Sequence, residues 1–146
     1  MRGDVLRSVA AAALVACFAL TACNRKAEQC DKLIGVINDN GKPIRAASAK
    51  LTGAADDVKA YEEVASVLDA AADKMSKVEL RDEKLRDYAK EYVDMAHSGA
   101  QAARDVVEAQ KKNDMAALTK AMADIGKVET TEAGLVAKVN GYCTAK

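Results

Sequence analysis

Acid–base, metal or haem chemistry needs particular side chains brought together, and this chain carries few of them. It has one histidine, His97, and four cysteines, Cys17, Cys23, Cys30 and Cys143. Asp94 lies three residues before His97, so the two share a helical face. A di-metal carboxylate bundle needs two Glu-x-x-His motifs, which one histidine does not supply. A bundle haem site needs a Cys-x-x-Cys-His attachment or a facing Met and His, and Met95 falls on the apolar track while His97 falls off it. His97 therefore reads as a surface histidine. Asp56-Asp57 and Glu62-Glu63 are adjacent pairs whose side chains point about 100° apart on a helix, so they do not converge as an acid–base dyad would. Phosphate loop, dinucleotide fingerprint and nucleophile elbow are all missing, and Gly53-Ala-Ala-Asp-Asp lacks the glycines and lysine of a phosphate cradle. The expectation is a protein that is not an enzyme, with no catalytic residue, no metal and no cofactor.

The cysteines say more about where the chain resides. Arg2 and Arg7 form a short basic region, followed by Ser8 to Leu20 without a charge. A membrane span needs about 20 apolar residues and an export signal about 7 to 15, so the run reads as a cleaved signal. At its end stands Leu20-Thr21-Ala22-Cys23. This quartet resembles the lipobox of bacterial lipoprotein precursors, a branched apolar residue and two small ones before a cysteine, and the resemblance covers only the first 23 residues. It implies that a diacylglycerol is joined to the Cys23 thiol, that residues 1–22 are removed, and that the new amine is acylated, with palmitate-type chains. One myristoyl-length chain binds a membrane only marginally at about 0.8 kcal/mol per methylene, whereas two or three hold it. Asn24 follows the cysteine where an aspartate would resemble an inner-membrane retention signal. The resemblance thus implies the outer membrane, with the body facing the periplasm.

Cys17 leaves with the signal and, by the resemblance, Cys23 becomes a thioether. Cys30 and Cys143 remain, one near each end of the mature chain. An even pair in an oxidising compartment reads as a disulfide, and two thiols with one remote histidine make no zinc set.

Those elements have to be positioned by something, and composition points to helices. Aromatic residues are 3% of the chain, proline occurs once and tryptophan never, while alanine is abundant. Such a mixture suits closely approaching helices and suits sheets poorly. Without residues 1–22 the 22 basic and 22 acidic residues become 20 and 21, net −1. That balance provides no basic face for nucleic acid.

Steps of three and four from Ile44 give Ala47, Leu51, Ala54, Val58, Tyr61, Ala65, Leu68, Ala72 and Met75, all apolar. A second track runs Leu85, Tyr88, Tyr92, Met95, Gly99, Ala102, Val106 and Ala109. Pro43 after Asn40-Gly41 marks a helix start, which predicts a short first helix around Cys30, Leu33, Ile34 and Ile37. The second would then run to Met75, roughly 47 Å, bent at Gly53, with a rod of helices two and three projecting past a shorter bundle. Asp82 caps the third helix and Asn113-Asp114 separates it from a fourth carrying Leu118, Met122, Ile125, Val128, Leu135 and Val139, which Asn140-Gly141 stops. Met75, Met115 and Met122 read as core gap fillers. Asp73–Lys77, Asp82–Arg86 and Glu108–Lys112 are spaced as solvated helix pairs.

The predicted fold is all-α: an up-down-up-down four-helix bundle, its ends joined by the Cys30–Cys143 disulfide. Residues 1–22 are the signal, 23–26 the lipidated tether and 27–146 one bundle domain. A stripe of Ala89, Val93, Ala96, Ala100, Ala103 and Val107 either widens the core face of helix three or offers a contact to another copy or another protein. The predicted role is structural or protein-interaction at a membrane held through acylated Cys23. The alternative is a periplasmic carrier of a small ligand or metal.

Overall fold

The structure, a computed structural model, describes residues 4–51 and 58–145, with side chains from Arg25 onward. Four helices follow one another: α1 (Asp4–Ser48), α2 (Val58–Ser76), α3 (Glu83–Lys112) and α4 (Met115–Thr144). Each runs antiparallel to the next, the up-down-up-down order, and α1 closes the bundle against α4. Helix α3 packs against both α2 and α4 along its length, and no backbone of α2 approaches that of α4 among the described residues. Those two flanks are bridged by side chains, with the Tyr61 hydroxyl donating to the Met122 sulfur at 3.5 Å.

The apolar tracks explain this arrangement. All eight positions from Leu85 to Ala109 are buried, giving α3 the broad stripe that a two-neighbour helix requires. On α1 and α2, Ala47, Tyr61, Ala65, Leu68, Ala72 and Met75 are buried as well. Caps fall where the sequence puts them. The Asp82 carboxylate accepts from the Leu85 N–H at 3.0 Å, and Asp114 accepts from the Ala117 N–H at 3.0 Å. Asn113 takes the left-handed conformation (φ 53°) that ends α3.

The first helix boundary differs from expectation. α1 does not stop at Asn40-Gly41. It continues through Pro43 to Ser48, so α2 begins at Val58 and has 19 residues, about 28 Å instead of 47. The reason is the Asn40 side chain, which is 1% exposed and donates to the Ala71 carbonyl of α2 at 3.1 Å. Here Asn40 is a buried crosslink and not a breaker. Pro43 costs α1 one backbone donor, and Ile44 and Ala47 packed into the core offset it. The longer helices are consequently α1, with 45 residues, and α3 and α4, with 30 each, and no rod of α2 and α3 stands clear, since at the start of α2 Glu63 pairs with Lys50 just past α1 and Tyr61 reaches Met122 of α4. Gly53, Ala54, Asp56 and Asp57 lie outside the described residues.

Three local readings are also corrected. α4 runs past Asn140-Gly141 to Thr144 because its last turn is held on two sides, by Cys143 to α1 and by Tyr142 to Asp82. Met115 and Met122 are 70% and 47% exposed, since α4 turns Ala121, Leu135 and Val139 inward instead; of the three expected gap fillers, Met75 alone is in the core. Of the three spaced charge pairs, Glu108–Lys112 forms, whereas Asp82 is spent on its cap and Lys77 lies beyond the end of α2.

Candidate functional site

The end of the bundle nearest Cys23 is the most heavily tied part of the molecule. Cys30 of α1 and Cys143 of α4 form a disulfide with Cα atoms 5.8 Å apart, closing 113 residues of sequence. One turn earlier on α1, Lys26 donates to the Ala145 carbonyl at 3.3 Å and its ammonium sits 4.2 Å from the centre of the Tyr142 ring. Tyr142 stacks edge-on against Tyr88 and donates its hydroxyl to Asp82 at 2.9 Å. Gln29 fixes the remaining piece. Its side-chain oxygen accepts from the backbone N–H groups of Arg81 and Asp82, the latter at 2.8 Å, and so holds the α2–α3 loop beside α1.

The electrostatics follow from these contacts. Burial acts to raise Asp82, but the Leu85 N–H, the Tyr142 hydroxyl, the Lys84 N–H and the charge of Lys26 together outweigh it and hold the carboxyl below its ordinary value. The same bond to the Asp82 carboxylate, reinforced by burial, pushes the Tyr142 phenol up.

The other sequence candidates are dispersed. The Cys23 side chain, with Cys17, lies outside the described residues. His97 is exposed on α3 and faces Asp69 of α2 at 3.4 Å, while Asp94 is ion-paired to Lys90 at 2.6 Å. Arg104 also binds Asp69 and holds its carboxyl low, with His97 adding to the effect. Among the described residues, no three histidine, cysteine or acidic side chains stand close enough together to hold a metal ion. The small-residue stripe on α3 is used inside the chain: Ala96, Ala100, Ala103 and Val107 are buried in the bundle, and Ala89 and Val93 pack against its core. Small side chains let α2 and α3 approach closely, so this stripe is not a free surface.

Two concavities were not foreseen. An open groove of about 810 Å³ between α3 and α4 is lined by Asp87, Glu91, Asp94, Asp105 and Asp124 with Lys90 and Lys127. Its acids are largely paired already, Asp124 with Lys120 and Lys127 and Glu91 with Lys138. A second cavity of about 350 Å³ enters between α1 and α4, walled by Ile44, Leu51, Val64, Leu68, Ile125 and Val128 and rimmed by Arg45, Glu129 and Glu132. Gly99 lies at its floor, where a Cβ would stand 3.1 Å from Leu68 and 3.3 Å from Val128. Its sequence signal was the glycine within an otherwise filled apolar track.

Comparison with known proteins finds no matching family model, no similar curated protein and no matching solved structure. Among the described residues, no helix is long and apolar enough to cross a membrane.

Proposed function

We propose that this chain is a bacterial lipoprotein without enzymatic activity. Its helical bundle is carried at the membrane by acylated Cys23, in the outer membrane facing the periplasm, in a structural or protein-interaction role. Residues 1–22 are the signal, 23–26 the tether and 27–146 the bundle. The observation that carries the reading is Leu20-Thr21-Ala22-Cys23 at the end of an uncharged run of export-signal length. A disulfide seven residues beyond the anchor cysteine supports it, because such bonds persist in oxidising compartments. The non-enzymatic part rests on chemistry: the sole histidine is exposed and bound up with Asp69, and the acids with shifted ionisation serve as caps and ion pairs, while Tyr92 is pushed up by burial in the core.

The test is Cys23→Ser. It should leave the precursor uncleaved and abolish incorporation of labelled palmitate. A variant still cut before residue 23 and still fractionating with membranes rejects the reading. The apolar cavity favours one second reading, a carrier of a small ligand, since its volume lies at the lower edge of ligand pockets. Native mass spectrometry of the protein from its own host separates the two. A stoichiometric non-lipid ligand supports the carrier, and a co-purifying protein supports the interaction role.

A further inference from the structure

The apolar cavity between α1 and α4 lies where the bundle is not tied across. Among the described residues, every disulfide, hydrogen bond and ring contact joining these two helices is made by Lys26 or Cys30. Ile44 stands 14 residues beyond Cys30 on α1, about 21 Å further up the bundle. One turn below it Asn40 fastens α1 to α2, while α4 keeps to its packing on α3. Helix α3 lies under the gap and lends it only Gly99 and Ala103, so no large side chain rises from below to fill the space.

The lining determines what fits. Ile44, Leu51, Val64, Leu68, Ile125 and Val128 are its aliphatic walls. The charged residues that border it, Arg45 on one lip and Glu129 and Glu132 on the other, are all exposed and stay at the mouth. An ion inside would lose its hydration and meet no opposite charge on the walls, a cost that apolar contacts do not offset. A neutral aliphatic body instead takes its own surface and that of the walls out of water. Size sets the second limit. At about 30 Å³ for each non-hydrogen atom, the share of a water in the liquid, 350 Å³ accommodates roughly 12 of them. Acyl chains on Cys23 do not reach the space. Cys23 and Ile44 are 21 residues apart on one continuous helix, about 31 Å, whereas a lipid chain covers about half of a 30 Å hydrocarbon core.

We propose that the cavity between α1 and α4 binds one small, uncharged aliphatic molecule of up to about 12 non-hydrogen atoms, taken up from solution. Its body lies against the six aliphatic walls, and any hydroxyl it carries stays at the mouth among Arg45, Ser48 and Glu129. This deepens the carrier reading by naming the class of ligand, and it rests on that reading for a role in the cell.

The test uses the full protein as its host produces it, held in phosphatidylcholine nanodiscs, with each probe kept at a fixed aqueous concentration by dialysis. The probes are straight-chain alcohols from butanol to tetradecanol, with octanoate and octylammonium as charged counterparts. Methyl carbon–proton spectra compare Ile44, Val64, Leu68 and Ile125 at the cavity with Leu33 and Leu135 in the core near the disulfide. Octanol should shift the first group saturably and leave the second unchanged. Affinity should rise about fourfold per added methylene up to about eleven carbons and then level off. Either octyl ion should bind at least about tenfold more weakly than octanol. In Ala103→Leu the larger side chain at the floor should lower the chain-length limit by about three carbons. No saturable shift with octanol, equal shifts at Leu33 and Leu135, affinity still rising through tetradecanol, or an ion bound as tightly as octanol overturns the proposal. The alcohol series on the unaltered protein decides the matter if Ala103→Leu folds poorly. Failure of the carrier reading looks different. Alcohols that bind while protein from the host carries no non-lipid ligand uphold the site and remove the role; a charged host ligand with no alcohol binding upholds the role and overturns this site.

Discussion

Reducing the Cys30–Cys143 bond should lower stability substantially while leaving the folded helices in place. The bond joins residues 113 apart in sequence, and the loop-entropy relation for that length yields about 5 kcal/mol at 25 °C. That is a ceiling, because a reduced unfolded chain stays partly compact. On the native side little is lost, since Lys26–Ala145, Gln29 with the α2–α3 loop, and Tyr142–Asp82 still hold the same end together. A realised loss of about 3 kcal/mol lowers the thermal midpoint by about 10–15 °C for a unit of this size. The assay is paired thermal and urea unfolding of oxidised protein and of Cys30→Ala/Cys143→Ala, followed by circular dichroism. Besides the lower midpoint, the urea slope should rise, because the uncrosslinked unfolded chain exposes more surface. An unchanged midpoint, or helicity lost before any transition, would refute the argument that the crosslink acts on the unfolded ensemble.

Other expectations follow from single contacts. Asp82→Ala removes the α3 cap and the Tyr142 partner and should cost about 1–2 kcal/mol at neutral pH. Because the native carboxyl titrates below its ordinary 3.8, that contribution is present above pH 3.8 and disappears as pH falls through the lower native value, so acid titration of both proteins should bring their stabilities together. Gly99→Ala crowds Leu68 and Val128 from two helices at once and should destabilise by about 1 kcal/mol net of the helix-propensity gain, whereas Gly126→Ala, with nothing within 4 Å, should stabilise by about 0.5–1 kcal/mol; chemical denaturation of the pair reads the opposite signs. His97→Gln should change stability by less than about 0.5 kcal/mol, because Arg104 retains Asp69; a larger loss in urea unfolding would show that the histidine does more than sit on the surface.

Much of this architecture is legible in residue order. Buried α3 positions, the Asp82 and Asp114 caps, the Asn113 stop and the pairing of Cys30 with Cys143 follow from periodicity, side-chain chemistry and the arithmetic of thiols. The misplaced boundary between α1 and α2 has a definite cause. The three-and-four stepping runs unbroken through Cys30, Leu33, Ile37, Asn40, Ile44, Ala47 and Leu51, with Asn40 as its single polar member. Local turn preference at Asn40-Gly41 reads as a break, while a hydrogen bond to Ala71, 31 residues away, makes it core. Tertiary partners also decide the end of α4, where Tyr142 and Cys143 override the Asn-Gly stop. The network of Lys26, Gln29, Asp82 and Tyr142 left no local signal, since each bond but the Asp82 cap joins distant stretches of chain.

The covalent link between α1 and α4 also determines how the bundle would bear a load. A pull entering α1 from its N-terminal side meets Cys30 less than two turns past Arg25 and divides there, part continuing along α1 and part crossing to the last turn of α4. Peeling α1 away from its neighbours one turn at a time is thereby blocked at the first step. Both outer helices must shear together along α3, which both of them contact. In a force-spectroscopy trace, the oxidised protein should yield in one high event and the reduced protein in a lower, stepwise one.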